Sequence, residues 1–444
     1  MEQKQTGLLA GSVAFFVSSL ITYAARFATS VIVARTLGVD GKGIYTLVLM
    51  IGGLLVLFLS LGLSGSITYL IASGQHKSAE LSSLSIVSSI VLSVVGGLLF
   101  YIVYIFFLSE RFLAGTDSME IWLVLLSLPI NLISLFLSSM LLGKQQIYAY
   151  NIINIIRVLS NLAFQLISSL MQGGVLGAIQ AWLASNIVAF AVTLWFVRDD
   201  LNLRFSQSRK IIRPALSYGS KNYIANLFTY FNYRLDAFLV NYFSGNASVG
   251  LYSVGVSTAE LLWYVPNAIS VPLFPKSSVL EKEVAARLTA QACRQTLLVA
   301  ALLASIFAAA GPFIIPFVYG SNFQDSVLPF LWLLPGVLSV SLSKLISANL
   351  SGLGKPQYAT YTSGITVVIT LVLDILLIPL YDITGAAIAS SLAYIASTIL
   401  SIIWFSRETG TSWAHVIVPR VEDVTTLAKR TQVLIEGWRK QTGV

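Results

Sequence analysis

Arg35-Thr-Leu-Gly-Val-Asp-Gly-Lys-Gly-Ile-Tyr45 is echoed later in the chain by Tyr242-Phe-Ser-Gly-Asn-Ala-Ser-Val-Gly-Leu-Tyr252, with Gly38, Gly43 and Tyr45 preceding Gly245, Gly250 and Tyr252 by a constant 207 residues. Gly143-Lys-Gln-Gln146 is matched by Gly354-Lys-Pro-Gln357 at an offset of 211, and Gly177-Ala178 by Gly385-Ala386 at 208. Short loops favour glycine in any case, so each match alone is weak. Three in the same order at nearly one offset point to an internal repeat.

What lies between the matched turns is apolar. Hydrophobic residues make up 56% of the chain and charged residues 10%, against roughly 25% charged in soluble domains. Crossing a hydrocarbon core takes about 20 apolar residues in a helix. Twelve segments meet that requirement, near residues 8–34, 44–73, 81–108, 119–142, 148–172, 176–197, 214–243, 249–275, 291–319, 325–350, 358–380 and 384–405. The short alternating strands of a membrane barrel are missing. The expected fold is therefore an all-α integral membrane protein. An offset that spans six segments leaves both copies in the same orientation, which predicts two pseudo-symmetric six-helix bundles related by an axis along the membrane normal. The expected divisions are a bundle over 1–197, a cytoplasmic linker over 198–213, a second bundle over 214–406 and a tail over 407–444. The first segment follows a single Lys4 and lacks a small-residue cleavage site, so it reads as a retained span.

Orientation follows from Lys and Arg in the loops. With the N-terminus inside, 19 of them fall on the inner side, and only Arg35, Lys42 and Arg111 on the outer side. Both termini are expected in the cytoplasm, and the formal net charge of +8 reports topology rather than a nucleic-acid partner. One cysteine, Cys293, excludes an internal disulfide and reads as inert packing. His76 and His415 lie outside the spans, so no metal site and no cofactor are expected.

Arg35-Thr-Leu-Gly with Gly-Ile-Tyr45, Leu273-Phe-Pro-Lys276, Leu353-Gly-Lys-Pro356 and Leu377-Ile-Pro-Leu-Tyr-Asp-Ile-Thr-Gly-Ala-Ala387 resemble the polysaccharide transporters of the MOP flippase superfamily, over roughly residues 5 to 405. The resemblance implies the MOP/MATE-like fold. It also implies translocation of undecaprenyl-pyrophosphate-linked oligosaccharide units to the outer leaflet of the bacterial inner membrane for surface polysaccharide biosynthesis, with O-antigen units as one such cargo. Polysaccharide polymerase or chain-length proteins are then expected partners. The motifs are structural Gly, Pro and aromatic positions, which identify the fold better than the substrate. One departure is Asp374, where the family more usually has Asn.

A charge at the bilayer centre costs about 2.5–3.5 kcal/mol and normally faces a partner or water. Lys221 and Lys344 stand near cytoplasmic helix ends and are expected to snorkel. The deeper charges are Arg26, Arg157, Arg234, Asp236, Glu260 and Asp374. Arg26 and Arg234 each lie nine residues before an outer helix end, about 13 Å at ~1.5 Å per residue, on helices paired by the repeat. Residues three or four apart share a helix face. Segment seven aligns Asn222, Asn226, Tyr230 and Arg234; segment one aligns Tyr23, Arg26 and Ser30; segment five aligns Tyr150, Asn154, Arg157 and Asn161. Such stripes line a wet cavity or hydrogen-bond neighbouring helices. The candidate substrate-binding set is Arg26, Arg157 and Arg234 for pyrophosphate oxygens, through the guanidinium fork, with Tyr23, Asn154, Asn161, Asn222, Asn226 and Tyr230 for sugars. Asp236 stands about 200° around the helix from Arg234, so it is expected to meet a neighbouring helix or a Lys or Arg across the bundle. Asp236, Glu260 and Asp374 are candidate ion-coupling residues.

Gly352-Leu-Gly-Lys-Pro356 lacks the first glycine and the hydroxyl of a phosphate-binding loop, so ATP hydrolysis is not expected. The outer loops are too short for the catalytic surface of a polymerase or ligase. The rival is a multidrug and cation antiporter of the MATE type, which would want a carboxylate in the first bundle, whereas the three deep acids all lie in the second. In the tail, Val424, Leu427, Ala428, Thr431, Leu434 and Trp438 follow helical spacing beside Lys429, Arg430, Arg439 and Lys440, which suits an amphipathic helix on anionic lipid at the cytoplasmic face, or a solvated end.

Overall fold

The structure is a computed structural model that describes residues 2–74, 76–108, 115–201, 208–423 and 425, without the side chains of 2–17, 107–108 and part of 208–222. The tail stripe from Val424 onward lies almost wholly outside the described residues. Among the described residues the regular structure is helical. It comprises α1 (Glu2–Ser60), α2 (Leu63–Ala72), α3 (Ser78–Val103), α4 (Ser118–Gly143), α5 (Ile147–Leu170), α6 (Gly174–Val197), α7 (Ser208–Ala259), α8 (Tyr264–Val279), α9 (Lys282–Tyr319), α10 (Val327–Gly352), α11 (Gln357–Thr409) and α12 (Trp413–Ile417). Eight helices are long and apolar enough to cross a membrane. Breaks inside α1 and α11 divide two of them, and α7, itself broken, continues through a 3₁₀ turn into α8. These additions bring the crossing segments to the expected twelve.

The breaks recur in register. Gly38 has φ 68° and ψ −169°, and Gly245, 207 residues later, has φ 83° and ψ −178°. Both are conformations that only glycine adopts without strain. Gly174 at φ 61° is matched by Asp382 at φ 51°, offset 208, and Gln145 at φ 60° by Gly354 at φ 77°, offset 209. The last pair fixes the turn alignment two residues away from the motif match. Gln145 and Gln146 donate to the Leu142 and Leu141 carbonyls as Gly354 and Lys355 do to Ser351 and Leu350. Gly143 and Gly352, also 209 apart, are then equivalent positions of close approach, since a Cβ on either would fall 2.8 Å or less from Thr68 O or Phe274 O. Each turn is tied down by its lysine. Lys144 bonds Asp200 at 2.5 Å, and Lys355 bonds Glu408.

The chain divides into two compact units, the first comprising residues 1–254, 315–326 and 378–383 and the second 255–314, 327–377 and 384–444. In the first unit a core of Leu63, Ile67, Leu81, Leu132, Phe136 and Met140 joins α2, α3 and α4. Helix α3 is inverted relative to a helix of a soluble protein. Ser82, Ser85, Ser89, Ser93, Gly96 and Gly97 are buried while Val91, Val94, Val95, Leu98 and Leu99 are exposed. Small residues let helices approach, and lipid takes the aliphatic face. Two of these hydroxyls bond the preceding turn, Ser85 on Leu81 O at 2.7 Å and Ser89 on Ser85 O at 2.7 Å. The closest helix crossing has no side chains at all. A Cβ on Gly43 would sit 1.8 Å from Asn246 O, and one on Gly250 2.0 Å from Val39 O. Arg35 caps the C-terminal end of α9 by donating to Phe317 O at 2.5 Å and Val318 O at 2.7 Å.

In the second unit Leu273, Ala290, Cys293, Leu345, Ile346, Phe405 and Val416 form the core, where Cys293 is fully buried. Val416 belongs to α12, which the following residues hold in place. The Arg294 guanidinium donates from Nε to Asp423 at 2.6 Å and from a terminal nitrogen at 3.0 Å. It also donates to the His415 carbonyl at 2.5 Å. This fork holds the Asp423 carboxyl below its usual pKa.

Two expectations follow from these contacts. Gly43→Ala or Gly250→Ala forces backbone apart and should lower stability by about 1–3 kcal/mol, read as a drop in the thermal midpoint of the detergent-solubilised protein, whereas Gly65→Ala, with nothing within 4 Å of its Cβ, should leave the midpoint unchanged. Because the Asp423 pKa is depressed on folding, its contribution is present above the ordinary carboxylate range and lost as the pH falls through the folded value. Hydrogen exchange over residues 413–423 should therefore rise on acidification in the wild type and be high already at neutral pH in Asp423→Asn.

Candidate substrate cavity

The first unit contains a cavity of about 570 Å³. Its polar wall is the face of α5 that carries Tyr150, Asn154 and Arg157, spaced four and three residues apart. Helix α4 adds Asn131, Ser138 and Ser139 opposite, α2 adds Ser64 and Thr68, and α6 adds Trp182. Gly52, Gly53 and Gly65 also line it, and Gly65 faces open space, with nothing within 4 Å of where its Cβ would stand. No Asp or Glu is among the lining residues.

Arg157 is the cavity's charge. Its Nε is buried and makes no hydrogen bond among the described residues, and it lies close enough to Arg26 for the two charges to interact. Arg26 itself is exposed on α1. Asn161, one turn further along α5, stands within hydrogen-bonding reach of the Tyr45 hydroxyl, which accepts from Gln165 Nε2 at 3.2 Å. Asn154 lines the cavity while donating to the Tyr150 carbonyl at 3.1 Å. The α5 stripe thus divides, with Tyr150, Asn154 and Arg157 on the cavity and Asn161 and Gln165 bonding Tyr45 on α1.

The stripe on α7 is dispersed. The Tyr230 hydroxyl donates to the Met50 carbonyl at 2.6 Å, and a Cβ on Gly53 would lie 3.4 Å from that hydroxyl. Tyr230 therefore stands behind the cavity wall. Arg234 is half-buried and donates to the Tyr233 carbonyl at 3.2 Å. Asn226 is exposed, Tyr23 is half-buried, and the Asn222 and Lys221 side chains lie outside the described residues. Asp236 is buried and meets the second half of α7, accepting from the Tyr252 hydroxyl at 2.5 Å and from the Ala237 amide at 2.7 Å.

In the second unit Glu260 opens the 3₁₀ turn between α7 and α8, a local unwinding of the kind found at hinges. Lys344 was expected to snorkel toward the cytoplasm. It instead lies 4.0 Å from the Trp263 ring centroid, donates to Asn267 Oδ1 at 3.2 Å and interacts with the Glu260 charge. A local aromatic and amide partner outcompetes the reach to the interface. Asp374 is fully buried on α11 at the end of a line formed by Thr362, Thr366 and Thr370. That spacing of four was visible in the sequence, but threonines that bond their own preceding turn, as Thr366 and Thr370 do, announce no facing. On α4, Ser139 likewise bonds its own preceding turn, at Leu135 O, and Asn131 and Ser138 beside it also escaped notice.

Comparison with known proteins agrees with this fold. The family model described as polysaccharide biosynthesis protein matches residues 8–281. A probable low-salt glycan biosynthesis flippase, Agl15, of Haloferax volcanii is 23% identical over 409 residues, covering 90% of this chain and 84% of that protein. A putative O-antigen transporter of Shigella flexneri is 22% identical, covering 83% and 90%. Among solved structures, the lipid II flippase MurJ in an inward closed conformation superposes with a TM-score of 0.73 at 14% identity, covering 96% of this chain and 91% of that one. The Vibrio cholerae MATE transporter VcmN superposes at 0.63 and 16%, covering 92% and 97%. These likenesses show a shared fold, that of the MOP superfamily. With more than half its length matched by one family model, this multi-pass membrane chain belongs to the polysaccharide biosynthesis protein family.

Proposed function

We propose that the chain is a flippase that moves undecaprenyl-pyrophosphate-linked oligosaccharide repeat units from the cytoplasmic to the outer leaflet of the bacterial inner membrane, with both termini in the cytoplasm. The observation that carries this reading is the cavity: one guanidinium with a buried, unbonded Nε, amides and hydroxyls around it, and no carboxylate on the lining. Arginine forks suit pyrophosphate oxygens, and Asn131, Asn154, Tyr150 and the serines suit sugar hydroxyls. A cation antiporter would want a carboxylate on the same lining. The relatives named above are called a flippase and a transporter, which supports transport rather than enzymatic chemistry.

In this reading Arg157 and Arg26 hold the pyrophosphate, and Arg234 serves it from α7. Tyr23, Asn154, Asn161, Asn222, Asn226 and Tyr230 serve the sugar or shape its path. The division into bundles over 1–197 and 214–406, the tail on anionic lipid, and a polymerase as partner belong to the same proposal. Asp236, Glu260 and Asp374 are the carboxylates available for a coupling ion. Each of Arg26→Ala, Arg157→Ala and Arg234→Ala should abolish export of the lipid-linked sugar with protein still in the membrane, and Lys at the same positions should restore it only partly, lacking the fork. Normal export in all three Ala variants overturns the site.

The moving pyrophosphate diester carries about two negative charges, each releasing ~2.3 kcal/mol per 100 mV on crossing outward against an inside-negative field. Bound arginine offsets part of this. Collapsing the potential across proteoliposomes at fixed pH should slow net flipping more than collapsing a proton gradient alone. A rate indifferent to potential but steep in protons or sodium would assign coupling to one of the three carboxylates.

A further inference from the structure

Lys42 was expected in an outer loop. Instead, the Gly38 break lets α1 resume at once, and Lys42 falls on the first turn of its second half with 6% of its surface exposed. Its ammonium donates to the Ser30 hydroxyl at 3.1 Å and lies 5.9 Å from the Tyr45 ring centroid. Among the described residues it enters no ion pair. The adjacent acid, Asp40, is exposed, and Glu120, the buried acid at this end of the unit, accepts from the Asp117 amide at 3.1 Å. A buried ammonium whose partners are one hydroxyl and a ring is poorly compensated.

Its position has a direction. Ser30 lies eight residues inward of Gly38, about 12 Å at ~1.5 Å per residue, and one helical turn outward of Arg26 on the same face. Arg26 in turn interacts with Arg157 on the cavity. A line of cations therefore leads from Arg157 on the cavity through Arg26 to Lys42 beside the Gly38 break, and the described acids of α1 to α6 stand at helix ends or, like Asp40, at that break. The grip falls along the same line. Arginine binds phosphate oxygens through a planar fork, lysine as a point charge.

We propose that Lys42 is a second, outward anion-binding residue, which takes the diphosphate of the lipid-linked substrate from the Arg157 and Arg26 pair and holds it before release at the outer face. This rests on the flippase reading above. Ser30 keeps the ammonium in place between passages, and the weaker point-charge contact suits a site that must let go.

The alternative role for Lys42 is a staple that closes the Gly38 break through Ser30. Native mass spectrometry of the purified full chain in detergent, with undecaprenyl diphosphate and phosphatidylglycerol as separate probes, distinguishes them when read beside the thermal midpoint. Lys42→Met should weaken binding of undecaprenyl diphosphate about tenfold, leave phosphatidylglycerol unchanged and leave the thermal midpoint equal or raised. Arg157→Gln should also weaken undecaprenyl diphosphate, and Ser30→Ala should change either probe less than twofold. Should Lys42→Met fail to accumulate, Lys42→Gln, which keeps a donor for Ser30, carries the same comparisons. Unchanged diphosphate binding with a lowered midpoint in the Lys42 variant makes the residue a staple and overturns the proposal. Equal losses for both lipids overturn it too, since the residue would then read any lipid phosphate. If the wild type itself does not prefer undecaprenyl diphosphate over phosphatidylglycerol, it is the flippase reading that fails.

Discussion

A guanidinium cannot be left in hydrocarbon, and Arg157 stands ten residues from the start of a 24-residue membrane helix. Placing an unsolvated charge there costs about 2.5–3.5 kcal/mol or more, so the surrounding helices must supply either an acid or water. The first unit supplies room for water. Glycines line the α1 and α2 walls, with Gly65 facing open space, α4 offers an asparagine and two serines, and the charge faces neutral polar groups. The positive character of the lining follows from meeting that one cost without a carboxylate.

The second unit meets the same cost differently. Lys344 is matched locally by Asn267, the Trp263 ring and the Glu260 charge, and Arg294 is closed by the Asp423 fork. Both cations are matched by local partners there, whereas the Arg157 Nε makes no hydrogen bond among the described residues. The breaks of the two halves of the sequence nevertheless keep their backbone turns within two residues of a common register.

Much of the architecture was legible in the residues because a membrane imposes few choices: a run of apolar residues is a helix, and a glycine between runs is a break. Gly38 and Gly245 announced both their position and their equivalence. On α5 the spacing of Tyr150, Asn154 and Arg157 put the three on one face, and that face lines the cavity. Serine and threonine were opaque, because in lipid they bond their own preceding turn and look alike whether they face a cavity, a neighbour or a helix crossing. Lys42 was misplaced for a geometric reason. A break of a single glycine has no loop, so a residue four positions on is already inside the unit. Tyr230 had the right spacing and the wrong neighbour, a carbonyl on α1 whose position no one-dimensional pattern encodes.

The crossing at Gly43 and Gly250 is reciprocal in detail. Gly43 faces the carbonyl of Asn246 and the amide of Gly250, while Gly250 faces the carbonyl of Val39 and the amide of Gly43, and Val39 and Asn246 are themselves 207 residues apart. Each position touches the counterpart of what its own counterpart touches. That is the geometry of an isologous contact, the self-complementary patch by which two identical subunits meet across a two-fold axis. A half-length chain bearing only the first copy already holds both sides of this crossing, so it could form the crossing with a second molecule of itself. Joining two such copies in one chain needs no new surface at this point. The contact becomes intramolecular, and either glycine can change only if the backbone opposite gives way.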